Sequence, residues 1–242
     1  MAKSVLAMCR NCSANGGNLT ASAPRLHCRN LNISAVRNSG AAMLRAMQHT
    51  VFDTPGVNTL LRWCSVVFLK ITGWKIEGEL PANGHRCVLI AAPHTSNWDL
   101  PYTLMTAFVL GLKPYWLGKA SIFNPPFGGV MRLLGGISVE RSQANNMVAS
   151  AVHALKSAGG PMQLIVPPEG TRGKTSHWRT GFYYIAIGAE VPILMAYLDY
   201  SRKRAGLGPA FVPTGDLERD MVTIKAFYAP VKGKFPQQFD AQ

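Results

Sequence analysis

The stretch that decides the fold is Cys87 to Leu100, CVLIAAPHTSNWDL. Cys87 to Ala92 is a short apolar run of the kind that forms a buried strand, and Pro93 ends it. From Asn97 or Asp99 onward the chain offers a helix-capping residue, Pro101 in the first turn, and apolar residues as far as Gly111, which is the pattern of a helix start. His94 therefore stands at a strand exit and Asp99 in the first turn of a helix. On one continuous helix two residues five apart would point about 140° away from each other. Across a strand-to-helix turn, however, the carboxylate can fold back onto the imidazole and fix its tautomer. The pair reads either as a general base with its orienting carboxylate or as a structural histidine near a helix cap.

Outward from this turn, strands and helices alternate. Tyr115–Lys119, ISVE (137–140), QLIV (163–166) and PILMAYLDY (192–200) are expected strands. Helices are expected near Gly128, over Ala144–Ser157, around Trp178–Ala189 and over Leu217–Tyr228, with a Gly/Pro-rich turn and a short AFV strand beyond Arg204. Such alternation implies an α/β fold, a mainly parallel sheet flanked by helices. Ahead of it, Val57–Ile71 forms an N-terminal amphipathic helix whose apolar face carries Val57, Leu60, Leu61, Cys64, Val67, Phe68 and Ile71. Arg62 and Lys70 interrupt it well short of the roughly 20 apolar residues of a membrane span. It reads as a core-facing helix or as an interfacial anchor with Trp63 and Trp74 near the headgroups.

The chain has 242 residues and a net charge of +13. Residues 1–50 supply six basic residues and no acid, the first acid being Asp53. Residues 1–46 are accordingly expected to be a basic leader, disordered or an organelle-targeting segment, and 47–242 the folded domain. Cys9, Cys12 and Cys28 in that leader lack the second pair a zinc ribbon needs, so no metal site is expected. Cys64 and Cys87 read as small core residues, and the cysteine pattern fits a reducing compartment. The basic body points to anionic partners. Zinc-finger, ribonucleoprotein and helix-turn-helix patterns are missing, which excludes those nucleic-acid modules and leaves lipid or phosphate ligands. The glycine pairs at 128–129 and 135–136 match neither nucleotide-binding pattern.

Two further segments follow strands: GGISVERS carries Arg141, and VPPEGTR carries Glu169, Gly170, Thr171 and Arg172. In a parallel sheet their loops and the His94 loop emerge at the same carboxyl edge. Arginine suits bidentate phosphate binding, and Gly170 would let backbone N–H groups approach an anion. HTSNWD, GGISVERS, PPEGTR and VPIL, in this order from about Trp74 to Leu198, resemble the four sequence blocks of the glycerolipid acyltransferases, the family of lysophosphatidic acid acyltransferase.

The resemblance implies that His94 deprotonates an acceptor hydroxyl, that Asp99 orients His94, and that the oxygen attacks an acyl thioester on coenzyme A or acyl carrier protein. It implies Arg141, Glu169, Gly170, Thr171 and Arg172 as the residues holding the acceptor's phosphate and glycerol, and Val191–Leu194 as the acyl side. The expected product from 1-acyl-glycerol-3-phosphate is phosphatidic acid. The thioester is a co-substrate, and no cofactor or metal is expected. The expected location is the cytoplasmic face of an anionic membrane, peripherally bound. Rival readings are an acyltransferase on another lipid acceptor, a serine hydrolase built on Ser96 with His94, and a non-catalytic basic phospholipid-binding module.

Overall fold

The computed structural model describes residues 50–139, 144–175 and 177–239. The expected leader lies outside them. Helix α1 (Pro55–Ile71) leads to β1 (Lys75–Glu77), β2 (Arg86–Ala92), α2 (Asp99–Leu110), β3 (Pro114–Lys119), α3 (Gly128–Leu133), β4 (Gly136–Val139) and α4 (Ala144–Ser157). Then come β5 (Met162–Val166), α5 (Gly181–Ala189), β6 (Ile193–Asp199), β7 (Arg204–Phe211) and α6 (Leu217–Tyr228). The strands form one sheet in the order β1-β7-β6-β2-β5-β3-β4, parallel throughout except that β7 runs antiparallel to β6.

β2 shows why its sequence is a continuous apolar run. Side chains alternate across a strand, and both faces of this one are covered. Val88, Ile90 and Ala92 enter a core with α4, α5 and α6. Cys87 and Leu89 enter a second core with Leu104, Ala107 and Phe108 of α2, flanked by Leu61 of α1 and Met131 of α3. One helix layer is thus α1, α2 and α3, and the other is α4, α5 and α6.

Three expectations are corrected. The chain beyond Arg204 is one eight-residue strand rather than a turn and a short strand. Its glycines serve close packing, since a Cβ at Gly206 would lie 1.9 Å from the Glu77 carbonyl oxygen and one at Gly208 2.4 Å from the Phe227 ring. α1 turns a narrower stripe to the body than its composition suggests. Ser65 and Leu69 are the residues it buries, the Ser65 hydroxyl being satisfied by donating to the Leu61 carbonyl at 2.7 Å. Leu60, Trp63, Phe68 and Ile71 stay exposed, Ile71 at 78% and Trp63 at 71%, as does Cys64, whereas Cys87 is buried. Trp74, in contrast, is a core residue, packed against Tyr102 and Tyr200 at ring separations of 4.5 and 5.0 Å. Among the described residues no helix is long and apolar enough to cross a membrane.

Candidate active site

β2 delivers the chain to His94 at the carboxyl edge of the sheet, and α2 begins at Asp99. The turn between them closes on that carboxylate. Asp99 Oδ2 lies 3.2 Å from His94 Nδ1 and accepts the backbone N–H groups of Thr95 and Ser96 at 2.8 and 2.9 Å. Oδ1 accepts the Tyr200 hydroxyl at 2.8 Å. Asp99 is buried, and both of its oxygens are engaged by these donors. The Tyr200 hydroxyl, pushed well above the ordinary tyrosine range by burial and then by the Asp99 charge, remains a donor. With Nδ1–H donating to Asp99, the other ring nitrogen, Nε2, is left as a proton acceptor. The imidazole is only partly covered, 27% of its side-chain surface being exposed, so a substrate hydroxyl can reach it.

The turn is also gripped from outside. The C-terminal segment crosses it, with the Phe235 N–H donating to Thr95 Oγ1 at 3.3 Å and the Lys232 carbonyl accepting from the Tyr200 N–H at 2.9 Å. The backbone passes Thr95 so closely that a Cβ on Gly233 would fall 2.7 Å from its hydroxyl. Lys234 lies over the exposed Trp98 ring, 4.9 Å from its centre.

β5 neighbours β2 in parallel, so the segment after it lies beside the His94 turn. Glu169 comes from there, and both of its carboxylate oxygens accept the His94 N–H, at 2.8 and 3.1 Å. Burial pushes this carboxyl up to about 8, assisted by the charge of Asp99 and opposed by the His94 N–H. Glu169 is thus occupied in holding the histidine's backbone.

Gly170 has φ +67°, and a Cβ there would meet the Arg179 side chain at 2.6 Å. Its N–H donates to the Pro167 carbonyl at 3.2 Å, so the glycine serves the turn and does not offer that N–H to an anion. Thr171 and Arg172 are exposed beside the same edge. Arg141 lies outside the described residues. Of Val191–Leu194, expected on the acyl side, Val191 and Pro192 are partly buried and Ile193 and Leu194 wholly buried at the start of β6, opposite the sheet end that bears His94. The Ser96 hydroxyl is buried and accepts the Trp98 N–H at 3.2 Å, which ties it into the turn. Among the described residues no group of three or more His, Cys, Asp or Glu side chains could hold a metal ion.

Sequence reasoning missed Tyr200, Thr95 and the Phe235 amide. Tyr200 is 101 residues from Asp99 and Phe235 140 from Thr95, so no local spacing announces either contact.

Comparison with known proteins bears on the family and the fold. The family model described as Acyltransferase matches residues 73–198, which include the His94 turn and the segment after β5. No curated protein sequence matches. Among solved structures, the chain resembles the 1-acyl-sn-glycerophosphate (LPA) acyltransferase PlsC from Thermotoga maritima with a TM-score of 0.50. The likeness covers 84% of this chain and 92% of that one at 17% identity. At that identity it speaks for the fold.

Proposed function

Because this chain belongs to the acyltransferase family, we propose that it transfers a fatty acyl group from acyl-CoA or acyl carrier protein to the free hydroxyl of a lysophospholipid, 1-acyl-glycerol-3-phosphate first among them. The observation that carries this reading is the His94–Asp99 pair, with Nδ1 held by the carboxylate and the imidazole partly exposed.

His94 Nε2 accepts the proton of the acceptor hydroxyl as its oxygen bonds to the thioester carbonyl carbon. The resulting tetrahedral species collapses, the C–S bond breaks, and the proton passes from His94 to the departing sulfur. The products are the ester and the free thiol. Asp99 remains a carboxylate, stabilises the imidazolium between the two transfers and keeps it oriented. Arg172, exposed at the same sheet edge, supplies positive charge for the acceptor's phosphate, as Arg141 does on the sequence reading.

The proposed site of action is the surface of an anionic membrane. Segments 55–71 and 99–133 carry five basic residues, Arg62, Lys70, Lys113, Lys119 and Arg132, and one acid, the buried Asp99. The same helix layer exposes the outer side of α1 together with Ile122, Phe127, Val130 and Leu133 near α3. A basic surface studded with apolar side chains fits a lipid interface. Binding should be stronger to vesicles containing acidic lipid than to neutral ones, and weaker at high salt.

Mass spectrometry of products from purified protein tests the reaction, using each thioester donor with phosphate-bearing and neutral lysolipids. Acyl transfer that is absent with all donors and acceptors would overturn the proposal.

A further inference from the structure

A groove of about 550 Å³ opens between the end of α1 and the His94 turn. That is within the size range of small-molecule sites. Its walls are aromatic and apolar: Phe68 and Ile71 from α1, Trp74, Tyr102, Tyr200 and Trp98. It adjoins the catalytic pair on two sides, since Trp98 precedes Asp99 in the chain and Tyr200 donates to Asp99 Oδ1. Phe68 and Ile71 are also exposed, so the groove is continuous with the apolar outer face of α1.

The polar residues of its lining are Thr72, Lys203 and Lys234. Lys203 donates to the Thr72 carbonyl at 3.0 Å, and Lys234 lies over Trp98. Neither ammonium forms an ion pair with a carboxylate among the described residues, and no acid lines the groove. An aromatic trough with two uncompensated cations complements a molecule with a hydrocarbon chain and a negative head.

We propose that this groove binds a single-chain anionic amphiphile, its chain along Phe68, Ile71, Trp74 and Tyr102 and its headgroup between Lys203, Lys234 and the His94 turn. In terms of the acyl-transfer reading, on which the identity of the natural ligand rests, that molecule is the lysolipid acceptor. Trp98 and Lys234, which already stack, form the side of the groove nearest the reacting hydroxyl.

Binding can be measured without turnover. The protein carrying His94→Ala is titrated with dodecyl phosphate, with an uncharged twelve-carbon amphiphile and with inorganic phosphate, following tryptophan fluorescence in a background with Trp63, Trp116 and Trp178 replaced by Phe, so that Trp74 and Trp98 report. Saturable binding of dodecyl phosphate about tenfold tighter than of the neutral amphiphile is expected, one decade being the scale of a single charge-assisted contact. Inorganic phosphate should not compete at similar concentrations. The pair Lys203→Gln and Lys234→Gln should abolish the preference for the charged amphiphile, and Lys203→Arg with Lys234→Arg should restore it, which separates loss of charge from loss of fold. Equal binding of both amphiphiles, or a preference that survives the glutamines, would overturn the proposal. So would a preference that Arg172→Lys alone removes, because Lys203 and Lys234 would then take no part beside Arg172 in holding the headgroup. Since no thioester is present, these outcomes are independent of whether the acyl-transfer reading itself stands.

Discussion

The two segments that meet at the carboxyl edge of β2 and β5 are built in opposite ways. In the turn from Pro93 to Asp99, both oxygens of the buried carboxylate are engaged, the Thr95 and Ser96 hydroxyls each accept a backbone N–H, and the C-terminal segment crosses on top. After β5, Glu169 is anchored, but Thr171, Arg172, Gly173 and Lys174 stand exposed. The first segment holds a geometry that an acid–base step needs to within a fraction of an ångström. On the proposed reading, the second presents charge to the acceptor's phosphate. Resemblance to a family motif weights the two segments alike, whereas their hydrogen bonding separates a tightly bonded turn from an exposed one.

The largest effect that would sharpen this contrast is expected from His94→Ala. It removes the base and should lower kcat by about 10²- to 10⁴-fold with an unchanged circular dichroism spectrum. Ser96→Ala should retain substantial activity; the reverse ranking would break the assignment of the turn as a base-bearing element.

Next comes Tyr200→Phe, which deletes one donor to the buried Asp99. A hydrogen bond to a charged group contributes about 1.5–3 kcal/mol, so a loss of kcat of about tenfold or more is expected, with little change in the KM of the thioester. Unaltered kcat would show that the backbone amides alone position Asp99.

A smaller effect is expected in the second segment. Arg172→Lys keeps the charge but loses the planar fork, and the KM of a phosphate-bearing acceptor should rise several-fold, about 1 kcal/mol, while that of a neutral lysolipid stays constant. Equal changes for both acceptors would remove Arg172 from headgroup recognition.

Glu169 joins the two segments, and its substitution is expected to affect activity least. Glu169→Gln resembles the protonated acid and should keep activity at pH 7 within about twofold. Glu169→Ala would leave the His94 N–H without this partner, at a cost of about 1–3 kcal/mol in stability. The pH dependence has a definite sign. Burial raises the folded-state value to about 8 from the ordinary 4.5. The unfolded chain therefore releases this proton first, and the native protein should lose stability relative to the glutamine variant as pH rises from about 4.5 to 8, then level off. Thermal midpoints of the two proteins that stay parallel over that range would show a carboxyl of ordinary acidity.

Much of this architecture is legible in the sequence because its signals are local. Cys87–Ala92 followed by proline, the helix beginning at Asp99, and Gly111, which ends it at φ +66°, are read correctly from neighbours in the chain. β1 is only three residues long, with no periodicity to detect, and β7 contains Gly206, Gly208 and Pro209, residues that usually mark turns. Only the approach of Glu77 and Phe227 explains those glycines. In the site, the His94–Asp99 spacing is visible, but two of the groups that hold the turn, the Tyr200 hydroxyl and the Phe235 N–H, come from distant parts of the chain. The role of Glu169 is hidden for another reason: its sequence context states that a carboxylate follows β5, not that a backbone N–H already occupies it.

The sheet ends in two short strands, β1 with three residues and β4 with four. β1 presents Lys75 and Glu77, and Glu77 is itself engaged by Arg204 at 3.0 Å and by the Tyr197 hydroxyl at 2.6 Å. Borders this brief, one of them charged, offer a poor template for another chain's backbone, and they guard a sheet protein against growing by strand addition. Clumping of the isolated protein in water is therefore expected to proceed through the apolar outer side of α1. Such assemblies should disperse in mild detergent with their native circular dichroism intact, whereas aggregates built by strand pairing would persist.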